Sequence, residues 1–301
     1  MDKLYVIAVF FNPAGFTSLL RNYYIFKEYL TRHSNIELLT IELSFNGKFQ
    51  IEGENVHRLT SNSVMWQKER LINYGISQLP ADAKYFAWLD CDIIFLHQDW
   101  VNMVLDELQR SDIIQPFKRV YFGTNGETEF TPFFKFQQSV FWQYRIHKNW
   151  LERRQNKNLG FAAPGFAYCA KVSLFKDLGL YDKCITGSGD SALVDVLLDS
   201  DSIHAHSSYF TSAMKEDLTK YREKLLDRNP KVGYIPIDLM HLYHGTIANR
   251  NYVVRHEILQ DNNFNPNTDI KLENNVFEWN TPKHDLHERL NRYFFDRKED
   301  I

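Results

Sequence analysis

An apolar run from Leu4 to Phe11, a helical pattern from Thr17 to Arg32 and a second strand-like run from Ile36 to Leu43 constrain this chain more than any other feature. The first run is continuous, as expected of a strand buried on both faces. Asn12-Pro13-Ala14-Gly15 breaks it before the helix. Together the three segments predict a βαβ unit, the opening of an α/β domain on a parallel sheet. Ligand sites on such sheets lie beyond the carboxyl ends of the strands. Asn12 and Pro13 stand there and are candidate ligand-facing residues.

Size and charge narrow the possibilities further. The 301 residues suffice for one large domain or two small ones, and 44% hydrophobic content with 15% aromatics provides a substantial core. A net charge of −3 supplies no global field to recruit nucleic acid or anionic membrane. Cys91, Cys169 and Cys184 are few, odd in number and widely spaced, which predicts reduced thiols and no disulfide framework or zinc cluster. No apolar run approaches the roughly 20 residues that span a bilayer. Leu4 to Phe11 follows one Asp and one Lys and runs into Asn-Pro, so it reads as a first strand and not a signal-peptide core. The expectation is a cytoplasmic protein without an integral membrane segment. Residues 261–301, polar and mixed in charge, predict a C-terminal extension to a domain spanning 1–260. A closing helix is expected over Asp285 to Phe295.

A further strand-like run, Lys84 to Leu89, ends in Asp90-Cys91-Asp92 and is followed by apolar Ile93 to Leu96. Burying unpaired carboxylates costs several kcal/mol, on the order known for real proteins. A divalent cation on oxygen ligands would compensate them. The plain alternative is a strand ending at Leu89 with both acids solvated.

Other patterns surround this motif. Ser61-Asn62-Ser63 offers caps for a helix over Val64 to Leu79. Leu71, Ile72, Gly75 and Ile76 share its sheet-facing side. Trp66, Glu69, Arg70 and Asn73 share the other, which reads either as solvent surface or as a ligand-facing side. The wheel turns Lys68 toward the core. Between Lys118 and Lys157 eight Lys/Arg stand against three acids, interleaved with aromatics. Arg145, Arg153 and Arg154 lie in the densest part, a composition that also holds sugars, phosphates or unstacked bases. Gly187-Ser188-Gly189-Asp190 opens a helix, where Asp190 is an N-cap or a functional acid. His241 and His244 are spaced to share a metal.

In order and spacing these motifs resemble those of the GT-A glycosyltransferases, most closely the catalytic domain of the β-1,4-galactosyltransferases and related family 2-like enzymes, over Leu4 to Leu259. The resemblance implies a Rossmann-like α/β fold with a mixed, mostly parallel central sheet and flanking helices. It places Trp66 and Lys68, on the helix carrying Arg70, Asn73 and the Leu71-Ile72-Asn73 sequence, toward a nucleotide-sugar donor. It places Asp90 on ribose hydroxyls or in the metal's outer shell. Pro164-Gly165-Phe166 matches the segment between donor and acceptor, with Gly165 on the donor side and Phe166 on the acceptor side. Gly187-Ser188-Gly189-Asp190 matches the catalytic-base segment, with Asp190 as base. Gly189 stands where the family carries an acceptor-binding Glu. His241-Leu242-Tyr243-His244 matches the late metal pair, with imidazole replacing a thioether at 241. The implied ligands of Mn2+ or Mg2+ are Asp92, His244 and His241, and Arg250 or Arg255 would add charge near the phosphates.

The implied activity is metal-dependent, inverting transfer from a nucleotide-diphosphate sugar, a UDP-sugar being expected, to an acceptor hydroxyl. Two acceptors compete: a saccharide, favoured by the acidic net charge, and a hydroxylated DNA base, favoured by segment 118–157 and requiring base flipping. Retaining chemistry stays open, as does an inactive sugar- or nucleotide-binding module.

Overall fold

The computed structural model describes residues 2–131, 134–147, 162–198, 209–252 and 254–300. The opening unit forms as its apolar pattern requires. Strand β1 (Leu4–Phe11), helix α1 (Thr17–Leu30) and strand β2 (Ile36–Ser44) follow one another, and β1 pairs with β2 in parallel from Leu4↔Ile36 to Phe11↔Leu43. β3 (Val56–Thr60) extends this sheet beyond β2, and β4 (Tyr85–Leu89) lies parallel to β1 on its other side. All residues of β4 are buried, as its unbroken apolar sequence predicts.

After β4 the chain changes sheets. β5 (Ile93–Phe95), β6 (Ile113–Gln115), β7 (Arg119–Phe122), β8 (Phe136–Gln138), β9 (Ala167–Lys171), β10 (Val232–Tyr234) and β11 (Asp238–His241) complete two sheets. The main one has seven strands in the order β10-β6-β9-β4-β1-β2-β3, with β9 antiparallel to both β4 and β6. The second has the order β5-β11-β7-β8, with β11 antiparallel to β5 and parallel to β7. The expected mixed, mainly parallel α/β architecture is therefore present. Asp90-Cys91-Asp92 is the short crossing from one sheet to the other, which keeps both acids at a strand end.

Helix α2 (Lys68–Ser77) begins four residues later than the caps at Ser61 and Ser63 suggested. The reason is tertiary. Ser61 Oγ donates to the Phe277 carbonyl, and Ser63 Oγ is spent on Glu278. The Trp66 N–H donates to the Ile185 carbonyl at 2.9 Å. Leu71, Ile72, Gly75 and Ile76 pack on the sheet as expected, but the opposite side is not solvent surface. Glu69 is 4% exposed, while Arg70 pairs with Asp182 and Asn73 bonds the Leu180 backbone and Asp182.

The remaining helices are α3 (Trp100–Glu107), α4 (Val140–Ile146), α5 (Val172–Phe175), α6 (Gly189–Leu198), α7 (Ser212–Leu226), α8 (Glu257–Asp261) and α9 (His284–Asp296). The hairpin β12 (Ile270–Glu273) and β13 (Val276–Trp279) packs beside α2, where Gln67 exchanges two hydrogen bonds with the Phe277 backbone. Leu286, Leu290, Tyr293 and Phe294 of α9 enter the same core cluster as Leu71, Ile72 and Tyr168. Residues after 261 thus contribute core, because an amphipathic helix must bury its apolar stripe somewhere. All three cysteines are free. Among the described residues no helix is long and apolar enough to cross a membrane.

Candidate active site

The register of β5 against β11 builds the centre of the site. His241 pairs with Ile93, and the Leu242 N–H donates to the Asp92 carbonyl at 2.7 Å. This pairing brings three chemistry-bearing side chains together. His244 Nε2 lies 2.8 Å from Asp92 Oδ2, His241 Nε2 lies 3.6 Å from the same oxygen, and the two imidazole nitrogens are 3.2 Å apart. Among the described residues these three form a cluster able to hold a metal ion. Ligand atoms about 2.0–2.2 Å from one ion, at right angles to each other, stand about 3 Å apart. The observed separations match that spacing. Asp92 Oδ1 is buried and has no hydrogen-bond partner among the described residues. An orphaned carboxylate oxygen beside two imidazoles suits a borderline or hard divalent ion such as Mn2+ or Mg2+. Burial would raise the Asp92 pKa, but His241 and His244 outweigh it and hold the carboxyl well below its usual range. Burial pushes His241 down. For His244, burial and Arg250 are outweighed by Asp92 and Glu299, which raise it.

Beside the cluster, Lys68 at the first turn of α2 joins two acids from different elements. Its Nζ lies 2.6 Å from Asp90 Oδ1 and 3.1 Å from Asp190 Oδ2. Burial opposes the charge of Lys68, but Asp190 and Asp90 outweigh it and raise the ammonium well above its ordinary value. Burial pushes Asp90 up to about 6 despite Lys68. Gly165 backs onto Asp190: a Cβ there would stand 3.1 Å from Asp190 Oδ2. Two non-glycine residues flanking the site adopt φ of 77°, Phe166 and Ser188. That left-handed conformation is costly and gathers where surrounding structure enforces it. The Phe166 carbonyl accepts the Asp90 N–H at 2.8 Å, while its ring meets His241 edge-on. Ser188 Oγ accepts Arg255 Nη2 at 2.7 Å and lies 3.1 Å from His256 Nε2.

Asp90, Asp92, Lys68, Gly165, Phe166, Asp190, His241 and His244 thus come together, and Arg250 joins them, its Nη2 2.9 Å from His244 Nε2. Other candidates do something else. Asn12 is 8% exposed and ties its own turn, bonding Phe16 through both backbone groups, so its amide is not presented to a ligand. Pro13 follows in that turn. Arg255 is buried and holds Ser188 and the Tyr293 hydroxyl, so it positions the turn before Asp190 instead of facing phosphates. Arg70 and Asn73 are taken up by the Leu180–Asp182 segment. Trp66 packs against the rings of Phe11 and Phe294, with the Arg297 guanidinium 5.2 Å over it. Arg145 is exposed on α4, and Arg153 and Arg154 lie outside the described residues. Within the basic segment, Lys118 is spent on the Trp142 ring and Arg119 on Tyr121 and Phe136.

Two acids that no motif marked complete the surroundings. Glu69 lies against Gly189, where a Cβ would stand 2.2 Å from Glu69 Oε1. Burial, with Asp190 nearby, pushes the Glu69 carboxyl up to about 8. Its place on the helix face that also carries Trp66 and Arg70 was the only available signal. Gly189→Ala should destabilise the fold by about 1–3 kcal/mol, the usual cost of overpacking. A lowered urea midpoint would show this, with partial recovery in Glu69→Ala/Gly189→Ala; an unchanged midpoint would mean that the carboxyl swings aside freely. The second acid is Glu299, whose Oε2 lies 3.2 Å from His244 Nδ1. His244 and Arg297 outweigh burial there and lower its pKa.

No protein-family model and no curated protein matches this chain. Its fold is similar to several solved structures. The catalytic domain of Drosophila beta1,4galactosyltransferase 7, in complex with xylobiose, is 12% identical, with 78% of this chain and 65% of that chain covered and a TM-score of 0.35. The chain therefore spans less than two thirds of that structure. Glucosyl-3-phosphoglycerate synthase from Mycobacterium tuberculosis, in complex with Mg2+ and uridine-diphosphate, is 9% identical over 80% of this chain and 71% of that chain, with a TM-score of 0.39. The 4-diphosphocytidyl-2C-methyl-D-erythritol synthase from Anaerococcus prevotii is 8% identical over 86% of this chain and 96% of that one, at a TM-score of 0.35.

Proposed function

We propose that this chain is a metal-dependent glycosyltransferase that moves a sugar from a nucleoside-diphosphate sugar, a UDP-sugar being expected, to the hydroxyl of a saccharide acceptor with inversion. One observation carries the reading. A cluster of Asp92, His241 and His244, with an orphaned carboxylate oxygen, stands at the sheet end that also carries Asp90 and Asp190 joined through Lys68. Asp92, His241 and His244 would hold Mn2+ or Mg2+, which when bound offsets the charge developing on a leaving diphosphate.

The chain's own groups do the rest. The Arg250 guanidinium adds positive charge on the same side as His244. Asp190 accepts the proton of the acceptor hydroxyl as its oxygen bonds to the anomeric carbon. The bond from that carbon to the diphosphate oxygen breaks, and its electron pair leaves with the nucleotide. One such displacement inverts the centre. Lys68 orients Asp190 and Asp90 together, and Asp90 is placed to accept ribose hydroxyls. Phe166 and Gly189 border the acceptor side.

A panel of nucleotide-sugars, assayed with and without Mn2+ for release of nucleoside diphosphate, tests the reading. One donor should be hydrolysed slowly in a metal-dependent way even without acceptor. A donor that binds but is never turned over, with any acceptor offered, would favour a binding module instead.

A further inference from the structure

The last described residues form a strap behind the metal-ligand cluster. Asp300 accepts the backbone N–H groups of Thr17 and Ser18, at 2.9 and 2.7 Å, where α1 begins. Ser18 Oγ donates to the Glu299 carbonyl at 2.8 Å. A Cβ on Gly245 would stand 2.9 Å from Glu299 Cα and 3.1 Å from the Lys298 carbonyl oxygen, so the strap lies directly on the backbone after His244. Arg297 covers the Trp66 ring and pairs with Glu299 Oε1. These anchors bury the Glu299 carboxylate to 1% exposure, with its second oxygen on His244 Nδ1.

We propose that Glu299 is a positioning residue of the metal centre, holding the His244 ring through Nδ1 so that Nε2 is turned toward Asp92. The proposal rests on the reading of Asp92, His241 and His244 as a metal site. A carboxylate only accepts hydrogen bonds, so the nitrogen facing Glu299 must donate. Nε2, on the other side of the ring, stands 2.8 Å from Asp92 Oδ2, where the ion would be held. A metal-ligating imidazole whose other N–H is given to a carboxylate is held in orientation and made a stronger ligand. The Glu299 carboxylate thereby becomes part of the site.

Calorimetric titration with Mn2+ alone tests this in wild type, Asp92→Ala, Glu299→Gln and Asp300→Ala, each checked for a cooperative thermal melt. Glu299→Gln keeps the shape and removes the charge, and should weaken Mn2+ binding about tenfold or more, as for outer-shell partners generally. Asp300→Ala loosens the strap's anchor on α1 but leaves the carboxylate, and should stay close to wild type. Proton spectra of the metal-free wild type should show a downfield His244 Nδ1 proton held by Glu299, and Glu299→Gln should move it upfield. If the Gln variant does not fold, Glu299→Asp, which draws the charge back by one carbon, carries the same comparison. Unchanged affinity in the Glu299 variant would overturn the proposal. So would an equal loss in Asp300→Ala, since packing and not the carboxylate would then be responsible. Failure of wild type to bind Mn2+, or tight binding by Asp92→Ala, would overturn the metal-site reading itself.

Discussion

Asp92→Ala should abolish Mn2+-dependent binding of nucleoside diphosphate while leaving the metal-free fold intact. Asp92 Oδ2 is the atom that both imidazoles approach, and Oδ1 is buried without a partner among the described residues. Removing the carboxylate leaves two imidazoles, one of them depressed by burial, and no anionic oxygen to draw a hard cation. The loss should exceed the roughly 10–100-fold that follows removal of an outer-shell partner. Calorimetry with UDP in the presence of Mn2+ measures it, and His244→Ala should behave alike. Full binding by the Asp92 variant would remove this residue from the site. The fold should survive because Asp92 sits at a crossing between sheets whose strands keep their own pairing.

The second large effect is on turnover. Asp190→Asn keeps size and most hydrogen bonding but removes the basic lone pair, so the rate should fall roughly 10²-fold or more, the contribution usual for general-base catalysis. Donor binding should persist, because the metal-ligand cluster is untouched. A fall in kcat with little change in donor affinity is the expected pattern. Near-normal turnover would mean that another group, or none, takes the proton. Lys68 would retain Asp90 as a partner in this variant, so the site should not open for want of a counter-charge.

Several parts of this arrangement were legible without coordinates. Periodicity marked β1, α1 and β2 because a strand buried on both faces and an amphipathic helix leave different apolar patterns. Asp90-Cys91-Asp92 stood out because charge interrupts an apolar run, and His241 and His244 because their spacing permits shared ligation. The same reasoning went astray where a polar residue's partner lies far along the chain. Ser61 and Ser63 have the chemistry of helix caps, yet β13 claims them, and the helix starts at Lys68. Arg255 has the chemistry of a phosphate ligand, yet Ser188 and Tyr293 claim it. Asn12 stands at a strand end as expected, but its amide closes its own turn.

By itself the sequence determined the opening βαβ unit, the position of the two acids at a strand end and which residue types could ligate a metal. It did so because burial preference and ligand chemistry are properties of single residues and short periods. The tertiary structure alone decided which of these groups meet. The β5–β11 register sets His241 beside Asp92, and α2 delivers Lys68 between Asp90 and Asp190. The tail residues Arg297 to Asp300 belong to the stretch that reads in sequence as a polar extension of mixed charge. Folding buries Glu299 against His244, because a carboxylate can leave water once hydrogen-bonded cationic partners replace its hydration. No local pattern distinguishes a charge that will find such partners from one that stays in water.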